Sequence, residues 1–356
     1  MKAIILVGGL GTRLRPLTCN IPKAIVPILN RPFLEHLLLY LKHYGISDII
    51  LAMGYNPAPI KAALGNGSKL GIHLTYLIES SPLGTAGAVK NAEALLDGSF
   101  IVLNGDILTE IDLSAMIEQH KKSKSAVSIA LTPVENPTIY GVVETDSNGM
   151  AINFIEKPPP DRVTTNMINA GIYIIEPEVL GRIPPHTPYM FEKGLFPTLL
   201  AEGITISGYK SEAYWIDIGT PEKYLKANHD LLINHFNGEI KITGHCQIHP
   251  SAIIEGPVLI GDACEIAENA VMRGPSVLGS GCKLGRNAVI ESSVLWESVQ
   301  IEHRANITNS IIGSASHIMG SQSIYDCIIG DNLSIEAGRS VLRGSILWPD
   351  GWTESA

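Results

Sequence analysis

Cysteine and positive charge are both scarce in this 356-residue chain. Its five cysteines (Cys19, Cys246, Cys264, Cys282 and Cys327) are widely scattered and form no C-x-x-C pair. That excludes a disulfide framework and a zinc site, and fits a reducing compartment. The net charge is -9, which argues against nucleic acid as a partner. Any anion the chain binds must meet a local concentration of cations, and Arg13, Arg15 and Lys23 form one. No apolar run is long enough to span a bilayer, so no membrane partner is expected. The opening apolar run enters a glycine turn with no small-residue cleavage site, which reads as a core strand rather than a signal peptide. A cytoplasmic location is expected.

Apolar residues make up 45% of the chain, so a core is easily built, and the length suggests two domains. The two halves follow different patterns. Up to about residue 237, apolar runs of strand type alternate with helical patterns: AIILVG (3–8), FLEHLLLYLKHYG (33–45), DIILAMG (48–54), LTYLIE (74–79), TAGAVKNAEALL (85–96) and SFIVLNGD (99–106). This is an α/β pattern, and it predicts a Rossmann-like domain over 1–237 with a mixed, mostly parallel sheet. In such sheets ligands sit at the carboxyl ends of strands, where GGLGTR and NGD both fall.

Over 238–356 the period is six. Long apolar residues recur at Ile242, Ile248, Ile254, Ile260, Ile266, Met272, Leu278, Leu284 and Ile290. The phase then slips and resumes at Ile301, at Ile312 and at Ile329. Small residues follow four places later, among them Ala252, Cys264, Ala270, Ser276, Cys282 and Ala288. This predicts a left-handed parallel β-helix of hexapeptide repeats, each coil burying its apolar corners against its neighbours. Cys264 and Cys282 then become small core fillers rather than reactive thiols, and the repeats suggest a homo-oligomer.

The opening GGLGTR raises the question of function. Gly8, Gly9 and Gly11 let backbone approach a ligand closely, and the N–H groups of such a turn cradle phosphate oxygens. It is neither a Walker loop nor a dinucleotide fingerprint. Two cations flank it, Arg13 and Lys23, and that suits a polyphosphate leaving with its charge neutralised.

GGLGTRLRPLT followed by PK resembles the opening of the sugar-nucleotide pyrophosphorylases, the nucleotidyltransferases that make NDP-sugars. SPLGTAGAV (81–89), LNGD (103–106), YGVV (140–143), FIEKP (154–158), NAGIYI (169–174) and WIDIGTP (215–221) follow in the family's order, and FEKGLFP (191–197) resembles a further segment. The resemblance implies attack of a hexose-1-phosphate oxygen on the α-phosphorus of an NTP, with release of pyrophosphate. It implies one Mg²⁺ held by Asp106 and Asp217. It gives Arg13 and Lys23 to the triphosphate, Lys157 to the sugar phosphate, and Glu156, Asn169 and Gly141 to the sugar hydroxyls. Leu6, Val7, Gly8, Gly9, Gly11, Thr12, Pro82, Gly84 and Thr85 are expected to complete the nucleotide pocket. Trp215 is expected to pack so as to fix the Asp217 loop.

In this family the residue three before the proline of P-x-G reads the base, and here it is Glu79. A carboxylate accepts both donors of the guanine edge, whereas thymine and uracil offer one N–H flanked by acceptors. The expected pair is therefore GTP with mannose-1-phosphate, giving GDP-mannose. A glucose-1-phosphate thymidylyl-, uridylyl- or adenylyltransferase is the first alternative. An inactive, sugar-nucleotide-binding regulatory subunit is the second. An added acyltransferase activity using His303 or His317 is the third.

Overall fold

The computed structural model describes residues 1–54, 57–337 and 341–349. The chain divides into two units: Met1–Gly9 with Leu34–Asp217, and Leu10–Phe33 with Ile218–Ala356.

The first unit is built on one mixed sheet. Its parallel part runs through Ala3–Val7, flanked by Asp48–Met53 on one side and Phe100–Asn104 on the other, with His73–Ile78 beyond. The first three are near-continuous apolar runs, as the alternation predicts, whereas His73–Ile78 at the sheet edge is more exposed. The long Met167–Ile175 strand then pairs antiparallel to Phe100–Asn104 and turns the sheet toward Val127–Pro133, Gly141–Thr145 and Ala151–Glu156. An apolar core including Phe100, Val102, Tyr173, Phe191 and Phe196 packs in this unit. The helical reading of 85–96 breaks into Gly84–Asn91 and a separate turn at Glu93–Leu95.

The second unit is the β-helix. Among the described residues its strands form three parallel sheets of seven, six and five strands. Ile260, Ile266, Met272, Leu278, Leu284 and Ile290 stack inside it with Cys264, Cys282 and Ala288. Burial pushes the Cys264 thiol up to about 11 and the Cys282 thiol up to about 12, so both stay protonated and unreactive, as expected of core fillers. The phase slip has a structural cause. Early coils advance by eighteen residues, as in Val258 to Ser276, and later ones by seventeen, as in Val294 to Ile311. The lost residue lies at the corner entering the seven-stranded sheet, where Gly-Pro gives way to Ser292-Ser293, Asn309-Ser310 and Asp326-Cys327. Ser292, Asn309 and Asp326 take positive φ there, and the next residues form a buried ladder. In it the Ser310 N–H donates to Ser293 Oγ (3.1 Å) and the Cys327 N–H to Ser310 Oγ (3.0 Å). Such internal pairing is what a buried hydroxyl requires.

The 10–33 segment belongs to this unit. It holds two short turns, Thr12–Leu14 and Lys23–Ile25, and buries Leu14, Leu17, Val26 and Ile28.

Candidate active site

In the first unit, Leu6 and Val7 close the Ala3–Val7 strand, and exposed Gly8 and Gly9 follow. A Cβ on either glycine would meet nothing within 4 Å, so their backbone is open to a ligand rather than packed. Gly105 is the opposite case. Its N–H donates to the Leu6 carbonyl (2.9 Å), and a Cβ there would lie 2.4 Å from that oxygen. A glycine before the aspartate therefore lets the NGD turn press against the end of the first strand, and Asp106 is delivered beside the glycine turn.

Asp217 arrives from elsewhere in the chain. Trp215–Asp217 pairs antiparallel with Ile107–Thr109, and Asp217 stands directly across from Ile107. Asp106 is the turn residue immediately before Ile107, so the two carboxylates expected to share a cation meet at one end of this short ladder, where facing Cα atoms are about 5 Å apart. Asp217 is buried, at 9% exposure, and the Tyr140 hydroxyl donates to its Oδ1 at 2.6 Å. The Tyr140 ring packs edge-on against Trp215 (centroids 5.6 Å), and the Trp215 indole N–H donates to the Ala170 carbonyl (2.8 Å). Trp215 does fix the Asp217 strand, through packing and this hydrogen bond.

The sugar-phosphate candidates gather on neighbouring strands. Glu156 pairs with Gly141 across the Ala151–Glu156 and Gly141–Thr145 ladder. A Cβ at Gly141 would lie 2.9 Å from Glu156 Oε2 and 2.7 Å from the Phe154 ring, so only glycine leaves room for both. Burial, and next the Glu192 carboxylate, hold the Glu156 carboxyl above its ordinary range. Lys157 turns outward with φ of 48°, and its N–H donates to the Tyr140 carbonyl (2.9 Å). Asn169 is held in place from both ends: its amide donates to Tyr173 Oη (2.8 Å), and its Oδ1 accepts the Gly171 N–H (2.9 Å), each end keeping one further hydrogen-bonding position.

On the nucleotide side, the Glu79 N–H continues the ladder to the Met53 carbonyl, and Glu79 Oε2 accepts the Leu83 N–H at 3.0 Å. Burial raises the Glu79 carboxyl. Pro82 is exposed, while Gly84 has φ of 71° with the Tyr189 carbonyl 2.7 Å from where its Cβ would be. That carbonyl also accepts the Ala86 and Gly87 N–H groups (3.0 Å each), so two of the four N–H groups that open the Gly84–Asn91 helix are already paired. Thr85 Oγ1 donates to Glu192 Oε2 (3.0 Å) and accepts the Phe191 N–H (2.9 Å).

In the second unit, Gly11 (φ 65°) packs against Lys23 and Thr18, with Lys23 Cβ 3.0 Å from where a Cβ would stand. The Thr18 hydroxyl donates to the Gly11 carbonyl (2.7 Å). Thr12 and Arg13 are exposed on the Thr12–Leu14 turn, and Lys23 is buried at 9% exposure.

Two residues enter that the sequence reading gave no role. Tyr140 was legible only as the residue before the YGVV glycine. Glu192 lies in FEKGLFP, a motif whose likeness to the family was visible without its chemistry. It is half-buried, and desolvation raises its carboxyl.

A family model described as "Nucleotidyl transferase" matches residues 2–234. The chain belongs to the nucleotidyl transferase family. A second model, described as "EIF2B subunit epsilon LbH domain", matches residues 238–341 and agrees with the left-handed β-helix. A mannose-1-phosphate guanyltransferase of Aspergillus fumigatus is 37% identical, covering 98% of this chain and 96% of that one. A mannose-1-phosphate guanylyltransferase of Mycobacterium tuberculosis is also 37% identical, over 73% of this chain and 75% of its own. The crystal structure of HddC from Yersinia pseudotuberculosis complexed with GMP-PN superposes with a TM-score of 0.57 at 34% identity. It covers 65% of this chain and 99% of HddC. No helix among the described residues is long and apolar enough to cross a membrane.

Proposed function

We propose that this nucleotidyltransferase joins GTP to mannose-1-phosphate, giving GDP-mannose and pyrophosphate. The observation that carries the reading is the ladder that sets Asp217 beside the Asp106 turn, with Tyr140 orienting one of the two carboxylates. The names of the relatives and Glu79 support the substrate pair.

Mg²⁺ is a hard cation that takes carboxylate and phosphate oxygens. Asp106 and Asp217 fit it as two protein ligands, with substrate phosphates completing the shell. Among the described residues no larger cluster of His, Cys, Asp or Glu competes for it. When bound, it neutralises charge on the α-phosphate and the sugar phosphate. The remaining steps belong to the chain. The mannose-1-phosphate oxygen attacks the α-phosphorus in line, the bond to the β-phosphate bridging oxygen breaks, and that electron pair leaves on pyrophosphate. Arg13 and Lys23 stabilise the charge gathering on the triphosphate. Lys157 holds the incoming phosphate, and Glu156, Gly141 and Asn169 orient the sugar. Glu79 accepts the guanine donors. The glycine turn (Gly8, Gly9, Gly11, Thr12) with Leu6, Val7, Pro82, Gly84 and Thr85 holds the nucleotide. The proposal includes domains at 1–237 and 238–356, a cytoplasmic setting and a homo-oligomer.

The test is pyrophosphate release with Mg²⁺ across a grid of NTPs and hexose-1-phosphates. The expected result is the highest kcat/KM for GTP with mannose-1-phosphate. A preference for dTTP or UTP with glucose-1-phosphate would overturn the base assignment and keep the mechanism. No turnover in any combination would favour a regulatory subunit.

A further inference from the structure

The 10–33 segment carries Arg13 and Lys23, yet its side-chain anchors lie on the β-helix. Asn20 Nδ2 donates to Asp331 Oδ2 at 3.2 Å. Asn30 Nδ2 donates to the Leu278 carbonyl at 2.8 Å. Between them, the Tyr224 hydroxyl donates to the Pro27 carbonyl and itself accepts the Trp296 indole N–H (2.8 Å). The Leu29 N–H donates to Asn228 Oδ1 (3.0 Å) on the Pro221–Phe236 helix.

These anchors fall in order along the β-helix. Leu278 pairs with Leu295, Leu295 with Ile312 and Ile312 with Ile329, so Asn30 and Asn20 are held three coils apart. At one strand spacing per coil that is about 14 Å. The segment is strapped lengthwise across successive coils. The Asp331 end is a built receptor. Asp331 is 5% exposed, and its Oδ1 accepts the Ser314 N–H (2.8 Å) from the coil below. A Cβ on Gly313 would lie 2.5 Å from that oxygen, so glycine there makes space for the carboxylate. A buried carboxylate is retained at a cost unless it is hydrogen-bonded, and here one oxygen serves the β-helix while the other holds Asn20.

From Asn20 the path to Arg13 is short and internally bonded. The Cys19 N–H donates to the Pro16 carbonyl, Leu17 to Leu14, Arg15 to Thr12 and Leu14 to Gly11, each at 3.0–3.3 Å. A displacement at Asn20 therefore reaches the arginine turn through consecutive hydrogen-bonded turns.

We infer that the β-helix is a template for the polyphosphate segment, and that Asp331 and Asn20 are positioning residues for Arg13. The inference rests on the proposed role of Arg13 and Lys23. It goes beyond that role in making a distant β-helix coil part of the machinery of nucleotide binding.

The experiment uses the full chain and the variants Asn20→Ala, Asn30→Ala, Asp331→Asn and the double variant of Asn20 and Asp331. Asn20 is exposed, so Asn20→Ala leaves the core intact. Amide hydrogen exchange at Leu14, Arg15, Leu17 and Cys19 is the first readout and needs no turnover. It should accelerate about tenfold or more in Asn20→Ala while the unfolding midpoint stays within a few degrees. In steady state, kcat/KM for GTP should fall about tenfold and KM for mannose-1-phosphate should stay within twofold. The effects of Asn20→Ala and Asp331→Asn should not add, because both remove one contact. Unchanged exchange at those four amides in Asn20→Ala overturns the inference. So does wild-type kcat/KM for GTP in both Asn20→Ala and Asn30→Ala. A wild type that turns over no NTP would instead sink the functional reading, while the exchange result still decides the strap.

Discussion

Replacing Tyr140 by phenylalanine removes one atom from the site and leaves the packing in place. The phenyl ring keeps the edge-on contact with Trp215 (5.6 Å), and the Tyr140 carbonyl still accepts the Lys157 N–H. What disappears is the 2.6 Å donation to Asp217 Oδ1. Asp217 is 9% exposed, so water replaces that donor poorly. A hydrogen bond to a charged group contributes roughly 1.5–3 kcal/mol. If all of it serves to orient Asp217, the rate should fall roughly ten- to a hundredfold, at about 1.4 kcal/mol per factor of ten. The assay is steady-state pyrophosphate release from GTP and mannose-1-phosphate over a Mg²⁺ titration, with thermal unfolding alongside. We expect kcat to fall in that range, the half-saturating Mg²⁺ concentration to rise, and KM for GTP to change little. Wild-type kcat at every Mg²⁺ concentration would refute the orienting role of Tyr140. A collapse of the unfolding midpoint with kcat per folded molecule unchanged would refute it as well.

Glu79→Gln should lower kcat/KM for GTP and narrow its lead over UTP and dTTP, measured by direct competition; an unchanged ratio would remove Glu79 from base selection. The Glu156 carboxyl is raised by burial and then by Glu192, so its charged form is reached only above the ordinary carboxylate range. Glu192→Gln should move the acid limb of kcat/KM for mannose-1-phosphate to lower pH. A carboxyl with a raised folded-state pKa takes up protons on folding, so stability falls as pH rises through that window. The variant should flatten that fall in denaturant titrations, and an unmoved acid limb would count against the Glu156 role. Gly105→Ala forces a Cβ to within 2.4 Å of the Leu6 carbonyl. It should cost about 1–3 kcal/mol in chemical denaturation and depress kcat, because the Asp106 turn must shift.

Periodicity exposed the β-helix almost completely, since inward residues every sixth place are what its coils bury. It also marked where the phase slips. It did not show why, because the shortened corner depends on Ser293 and Ser310 pairing with backbone one coil away. The parallel strands were legible as apolar runs, whereas the antiparallel half of the sheet was not. There, register depends on contacts such as Glu156 with Gly141 that no local pattern encodes. Motifs named the candidate residues at the strand ends. Tyr140 escaped because its meaning is a hydroxyl aimed at a carboxylate 77 positions further on. The strap of 10–33 along the coils escaped for the same reason, since Asn20 and Asp331 are 311 positions apart.

The proposed reaction is nucleotidyl transfer assisted by the Asp106–Asp217 pair. It is tested most directly by ³¹P NMR of the full chain with GTP, mannose-1-phosphate and Mg²⁺, beside Asp217→Asn. GDP-mannose and pyrophosphate should appear in equal amounts, with the variant slowed by about a hundredfold or more. Release of inorganic phosphate without GDP-mannose, or a variant as fast as the wild type, would contradict it.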